Sequence, residues 1–182
     1  MAPDDRDPPS GTPSDTTDPA AVALHEMRRA LRRQKALADR ALDQLEPGDW
    51  HALLDRRSNS IAIIVRHVAG NMRSRWTDFL TSDGEKPSRD RDGEFALRDD
   101  DPGELRAAWE EGWRVTLGAI DALEGADLTR SVVVRGERLS VAGAIVRQID
   151  HYGQHVGQIL LLGKHLRGDA WVALSLPTPP RD

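Results

Sequence analysis

Apolar residues recur at helical spacing along most of the chain. Leu24, Met27, Leu31, Ala38, Leu42 and Leu45 fall three, four or seven residues apart, which predicts a helix from about Pro19 to Leu45. Asp18 before Pro19 matches an N-cap with proline in the first turn. Pro47-Gly48-Asp49-Trp50 breaks that pattern. A second stripe, Ile61, Val65, Val68, Met72, Trp76 and Phe79, predicts a helix from about Asn59 to Leu80. Asp101 and Pro102 open a third, with Leu105, Trp109, Gly112 or Val115, and Leu123 inward. Ser131 to Ser140 differs, with three consecutive valines, an Arg-Gly pair and Leu139. It predicts a short extended or hairpin piece. Ser140 then caps a fourth helix, Val141 to about Arg167, which Gly168 stops.

Four long helices with little strand predict an all-α fold, an up-and-down four-helix bundle. The domain spans residues 19–176. Residues 1–18 are rich in Pro, Asp, Ser and Thr and are expected to form a disordered acidic tail. Residues 177–182 form a short C-terminal tail. Residues 81–101, between the second and third helices, are charged and rich in Gly and Pro. Connections that long are uncommon unless functional or disordered. A solvated connection is the expectation for this one. The other reading makes Arg75, Asp78 and the stretch from Asp83 to Arg91 the mouth of a groove.

Composition narrows the chemistry. The chain has no cysteine, which excludes a disulfide scaffold, a thiol nucleophile and a thiolate metal site. A metal would have to be held by histidine and carboxylate. No apolar run approaches a membrane span, and the first residues lack a secretory signal, so the expectation is a cytoplasmic protein that does not bind a membrane. Residues 1–18 carry five Asp against one Arg within a net charge of −5. The remaining near-neutral chain has no electrostatic footprint for nucleic acid.

Among the six histidines, His25, His51 and His165 stand alone and are expected to be structural or surface residues. His151 and His155 are one turn apart, with Cβ atoms about 5–6 Å apart in a helix, a reach suited to one shared ion. Both sit on the flank of the apolar stripe Ile145, Ile149, Val156, Ile159 and Leu160. His67 occupies the equivalent flank of the second helix. Three imidazoles from two helices can then converge, leaving positions open as in a catalytic-type site. The competing reading makes the pair the polar edge of a helix, and the metalloprotease signature HExxH is absent. Asn71 and Gln158 share the histidine stripes, where they can orient a ligand imidazole or a substrate or be ordinary polar positions. Tyr152 faces the apolar side and reads as core. Gly153 and Gly157 face away from the histidines and suit the close approach of another helix, across a dimer or within one chain.

Three segments carry a family likeness: Asn59 to Phe95 (NSIAIIVRHVAGNMRSRWTDFL onward), Ile145 to Gly168 (IVRQIDHYGQHVGQILLLGKHLRG) and Trp171 to Pro177 (WVALSLP). On these the chain resembles, over about residues 20–176, the DinB-like (DinB/YfiT) superfamily of metal-binding four-helix bundles, in a bacterial branch of unknown function. The resemblance implies a histidine triad of His67, His151 and His155 around a divalent ion such as zinc, nickel or iron. It also implies a homodimer. Some members of the superfamily transfer low-molecular-weight thiols, and others isomerise or hydrolyse small metabolites. The expectation is a metal-dependent enzyme acting on a small molecule, such as a low-molecular-weight thiol, by transfer or hydrolysis, with no catalytic residue assigned. The alternative is a metal-binding or sensing module without turnover. A shared fold does not choose between them.

Overall fold

The computed structural model describes residues 18–174. The acidic N-terminal segment and the last residues, for which tails were expected, lie outside the described residues. The rest is mostly helical, with four long helices and one small hairpin. The helices are α1 (Pro19–Leu42), α2 (Ile61–Trp76), α3 (Pro102–Asp121) and α4 (Val141–Arg167). Strands β1 (Ser131–Val134) and β2 (Glu137–Ser140) pair antiparallel, with Val134 opposite Glu137. Helix α2 packs mainly on α3, and α1 on α4; α2 also meets α4.

Helix boundaries follow local chemistry. Asp18, Ser60, Asp101 and Ser140 each accept a backbone N–H in the first turn that follows, satisfying donors that a helix start leaves unpaired. Helix α4 has the expected bounds, ending at Gly168, whose φ of 50° suits glycine. Two helices are shorter than their apolar stripes suggest. Helix α1 ends at Leu42, although Leu45 still packs on the core. Helix α2 ends at Trp76, where Thr77 turns extended and Asp78 takes a φ of 48°. Phe79 nevertheless stays buried, its ring centroid 4.6 Å from that of Trp76. A hydrophobic stripe reports burial, and burial continues past the last helical hydrogen bond.

The core explains the abundance of tryptophan. Trp50, Trp76, Trp109 and Trp113 are all buried. Trp109, Trp113 and Tyr152 form an edge-on column with centroids 5.7 and 5.6 Å apart. Trp76 donates its indole N–H to the Tyr152 hydroxyl at 3.0 Å, and that hydroxyl donates to Asn71 at 3.2 Å. Tyr152 is therefore core, as expected, and burial drives its hydroxyl pKa upward. Gly153 faces Gln34 of α1, whose amide donates to the Ile149 carbonyl at 2.9 Å, so packing within the chain accounts for it. Gly157 has nothing near its missing Cβ.

The long connection from α2 to α3 is the main departure from expectation. It is not a solvated strap. Asp83 ties it to the hairpin by accepting the backbone N–H groups of Arg135 and Gly136, both at 2.8 Å. Those two residues form the two-residue turn and have φ of 57° and 77°, the left-handed pattern that favours such hairpins. Gly84 donates to the Val133 carbonyl at 2.9 Å, and the Ser74 hydroxyl of α2 donates to the Gly84 carbonyl at 3.2 Å. The backbone N–H groups of Glu85, Gly136 and Arg135 hold the Asp83 carboxyl below its ordinary range. An Asp83→Ala variant should lose about 1–2 kcal/mol of stability in urea unfolding, as backbone donors lose their acceptor. Amide exchange at Arg135 and Gly136 should speed up. Unchanged exchange there would show that Asp83 does not hold the turn.

Candidate metal centre

Helical periodicity places His151 and His155 on one face of α4, and α2 brings His67 to meet them. The Nε2 atom of His151 is 3.3 Å from that of His67 and 3.2 Å from that of His155. One nitrogen from each of the three falls within 4.8 Å of the others. Every imidazole expected at the centre is there. His67 is 6% exposed, while His151 and His155 are half-buried, so the cluster opens toward solvent on the α4 side.

The hydrogen bonds define which nitrogens face inward. His67 donates its Nδ1–H to Glu94 at 2.9 Å, and His155 donates its Nδ1–H to Gln158 at 2.8 Å. Both rings then present a bare Nε2 lone pair to the cluster. A single proton on His151 Nε2 can serve only one of them, so the arrangement holds facing lone pairs that a cation would relieve. Nitrogen ligands about 2.0–2.1 Å from a tetrahedral ion sit about 3.3–3.4 Å from one another. The two short separations agree with that spacing. The donor set of three imidazoles thus fits a divalent metal. Burial, with His155, His67, Arg89 and Arg75 nearby, pushes the His151 pKa down to about 3, and burial also lowers that of His155. Both rings are held neutral, the form that binds metal.

The connection between α2 and α3 supplies what the helices lack. The Glu94 carboxylate accepts two hydrogen bonds from Arg89, each 2.7 Å, besides the one from His67. The side chains of Arg89 and Glu94 are only 4% and 8% exposed. Burial alone would raise the Glu94 pKa, but the His67 and Arg89 hydrogen bonds outweigh it and hold it below its usual value. Phe95 lies on the His67 ring, centroids 4.6 Å apart. Arg66 anchors this segment by donating to the carbonyls of Glu94 and Ala96 at 3.0 and 2.7 Å, and to Asp100 at 2.7 Å. Gly70 permits the close approach, since a Cβ there would lie 2.2 Å from the Glu94 carboxylate.

The other sequence candidates separate clearly. Gln158 orients the His155 imidazole. Asn71 is buried and accepts from Tyr152, away from the ring nitrogens. Asp78 lines an outer cleft, not the cluster. His25 and His165 are exposed, and His51 bonds the Asp100 carbonyl at 2.9 Å. Glu94 and Phe95 were missed, and Arg89 entered only within the Asp83–Arg91 stretch, because no helical stripe contains them. The signals present were a glycine inside α2 and a connection too long to be idle.

Over residues 18–179 the chain matches a family described as a protein of unknown function, DUF1572. It belongs to that family. No curated protein matches the chain. Membership leaves the activity open, so the chemistry rests on the site. No helix among the described residues is long and apolar enough to cross a membrane.

Two predictions follow the geometry. Gly70→Ala should displace Glu94 and mobilise His67, visible as line broadening of the His67 ring resonances while helix content stays constant; an unchanged spectrum would show that the seat tolerates a methyl group. For the metal-free chain, His151 and His155 resist protonation when folded but take protons near the ordinary value of 6.5 when unfolded. Unfolding stability should therefore fall as pH drops below about 6.5 toward 3. Glu94 acts lower, its contribution present above its ordinary 4.5 and lost as pH falls through its depressed value. Urea midpoints at pH 7 and 5.5 isolate the histidine effect; equal midpoints would contradict it.

Proposed function

We propose that this chain is a divalent-metal-binding protein, an up-and-down four-helix bundle of the DinB-like kind, whose centre at His67, His151 and His155 serves chemistry on a small molecule. The observation that carries the reading is the convergence of three Nε2 atoms, with Nδ1 of two rings engaged by Glu94 and Gln158. Three imidazoles and no thiolate suit zinc, nickel or iron. Held by these three imidazoles, such an ion would supply Lewis-acid activation of a water or thiol near neutral pH.

The chain's own residues do the positioning. Glu94 fixes the His67 tautomer and ring orientation, and Gln158 does the same for His155. Arg89 keeps Glu94 ionised and occupied on both oxygens. A carboxylate so engaged is a poor carrier of protons, and among the described residues no carboxylate joins the imidazole cluster. This favours a nucleophile brought by the substrate, such as a low-molecular-weight thiol, over hydrolysis by an enzyme base. The same observation supports a second reading, a metal-carrying or sensing module without turnover.

Elemental analysis of the purified chain, before and after loading with zinc, nickel or iron, tests the centre. About one equivalent of metal should be bound. His67→Ala and His151→Ala should each abolish it while circular dichroism shows retained helix. Glu94→Gln should weaken affinity about 10- to 100-fold. A wild-type chain that takes up none of the three metals sinks the proposal.

A further inference from the structure

A second recess lies on the outer side of α2, against the connection to α3. It is a cleft of about 660 Å³, a volume typical of small-molecule sites. The histidines do not line it. The Arg89–Glu94 pair does, so the same two side chains face the cleft and hold His67. Five of its lining residues are basic and three acidic, which leaves positive charge after pairing. Arg89 and Glu94 neutralise one another, Arg66 is paired with Asp100, and Arg98 approaches Asp90 only at 4.0 Å.

Arg73 and Lys86 remain, against the single carboxylate of Asp78. Among the described residues Arg73 has no carboxylate within ion-pair distance. Lys86 donates its ammonium group to the Asp83 carbonyl at 2.6 Å rather than to a carboxylate. Burial lowers the Lys86 pKa, an effect that Asp78 and Asp83 oppose and Arg75 reinforces. The rim adds the hydroxyls of Thr77 and Ser88. A guanidinium, an ammonium and two hydroxyls around one recess form a donor-rich setting that complements a tetrahedral oxyanion.

We propose that this cleft binds a small molecule carrying an oxyanion group, a phosphate ester by preference, and that its occupancy is felt at the metal centre through Arg89 and Glu94. The coupling half rests on the metal reading above; the binding half does not. A negative charge set beside Arg89 adds to the field that favours a divalent cation at the histidines. Linkage requires the converse, so each ligand raises the affinity for the other by the same factor.

Inorganic phosphate is the probe, titrated calorimetrically into the metal-free chain at ionic strength held constant with sodium chloride. Saturable binding is expected, weakened at least tenfold in an Arg73→Gln/Lys86→Gln double variant whose helix content is unchanged. Zinc affinity, measured in a chelator-buffered solution, should rise several-fold with saturating phosphate in the wild type and stay constant in the double variant. No saturable binding above the chloride background overturns the site. Saturable binding with no change in zinc affinity overturns the coupling. An equal rise in both proteins also overturns it, because phosphate would then be joining the metal directly. A chain that binds no zinc overturns the metal reading instead, and the phosphate titration and its variant still decide the cleft.

Discussion

The buried chain of contacts from Arg89 through Glu94 to His67 is the interaction on which the site depends. Two opposite charges lie almost out of water, 4% and 8% exposed. Each such ion loses several kcal/mol of hydration, and only good geometry offsets the loss. Here the guanidinium meets both carboxylate oxygens at 2.7 Å, and the remaining reach of Glu94 is taken by an imidazole N–H. The surroundings serve this arrangement. Gly70 gives the carboxylate room, Arg66 pins the backbone on either side of Phe95, and Glu85 offers Arg89 a further acceptor at 3.2 Å.

That constraint converts a connection into part of the machinery. A charged segment between helices would ordinarily stay hydrated and mobile. This one is latched at Asp83 to the hairpin, at Ser74 to α2 and at Arg66 near its far end. It therefore covers a flank of α2 that its polar residues would otherwise present to solvent. His67, Ser74 and Arg75, which meet Glu94, Gly84 and Glu85 of the connection, are all buried. The same cover places an oriented carboxylate behind His67, so the imidazole and its support come from different parts of the chain. The two sides of the seam are specialised. Toward the hydrophobic interior, Asn71, Tyr152 and Trp76 close a neutral hydrogen-bonded set. Toward the opening, the three imidazoles present unpaired nitrogen.

The legible and illegible parts divide along a physical line. Local pattern exposed the four helices, the caps Asp18, Asp101 and Ser140, the hairpin with its Arg-Gly turn, and the spacing that pairs His151 with His155, because each depends on neighbours within a few residues. His67 was legible one step further, since α2 and α4 carry the same layout of apolar stripe and polar flank. Gln158 was legible for the same reason, being one turn from His155. Helix ends were less so: Leu45 and Phe79 continue their apolar stripes while the backbone has already turned away.

By itself the sequence determined the helical elements, the absence of cysteine ligands and nucleophiles, and the identity of three imidazoles able to share one ion. Tertiary structure alone decided that the connection is folded down, that Glu94 and Arg89 stand behind His67, and that Asn71 belongs to the core hydrogen bonds of Tyr152. The reason is desolvation. A carboxylate 27 residues from its histidine carries no periodic mark in the sequence, and whether its charge is hydrated or buried depends on partners that only folding assembles.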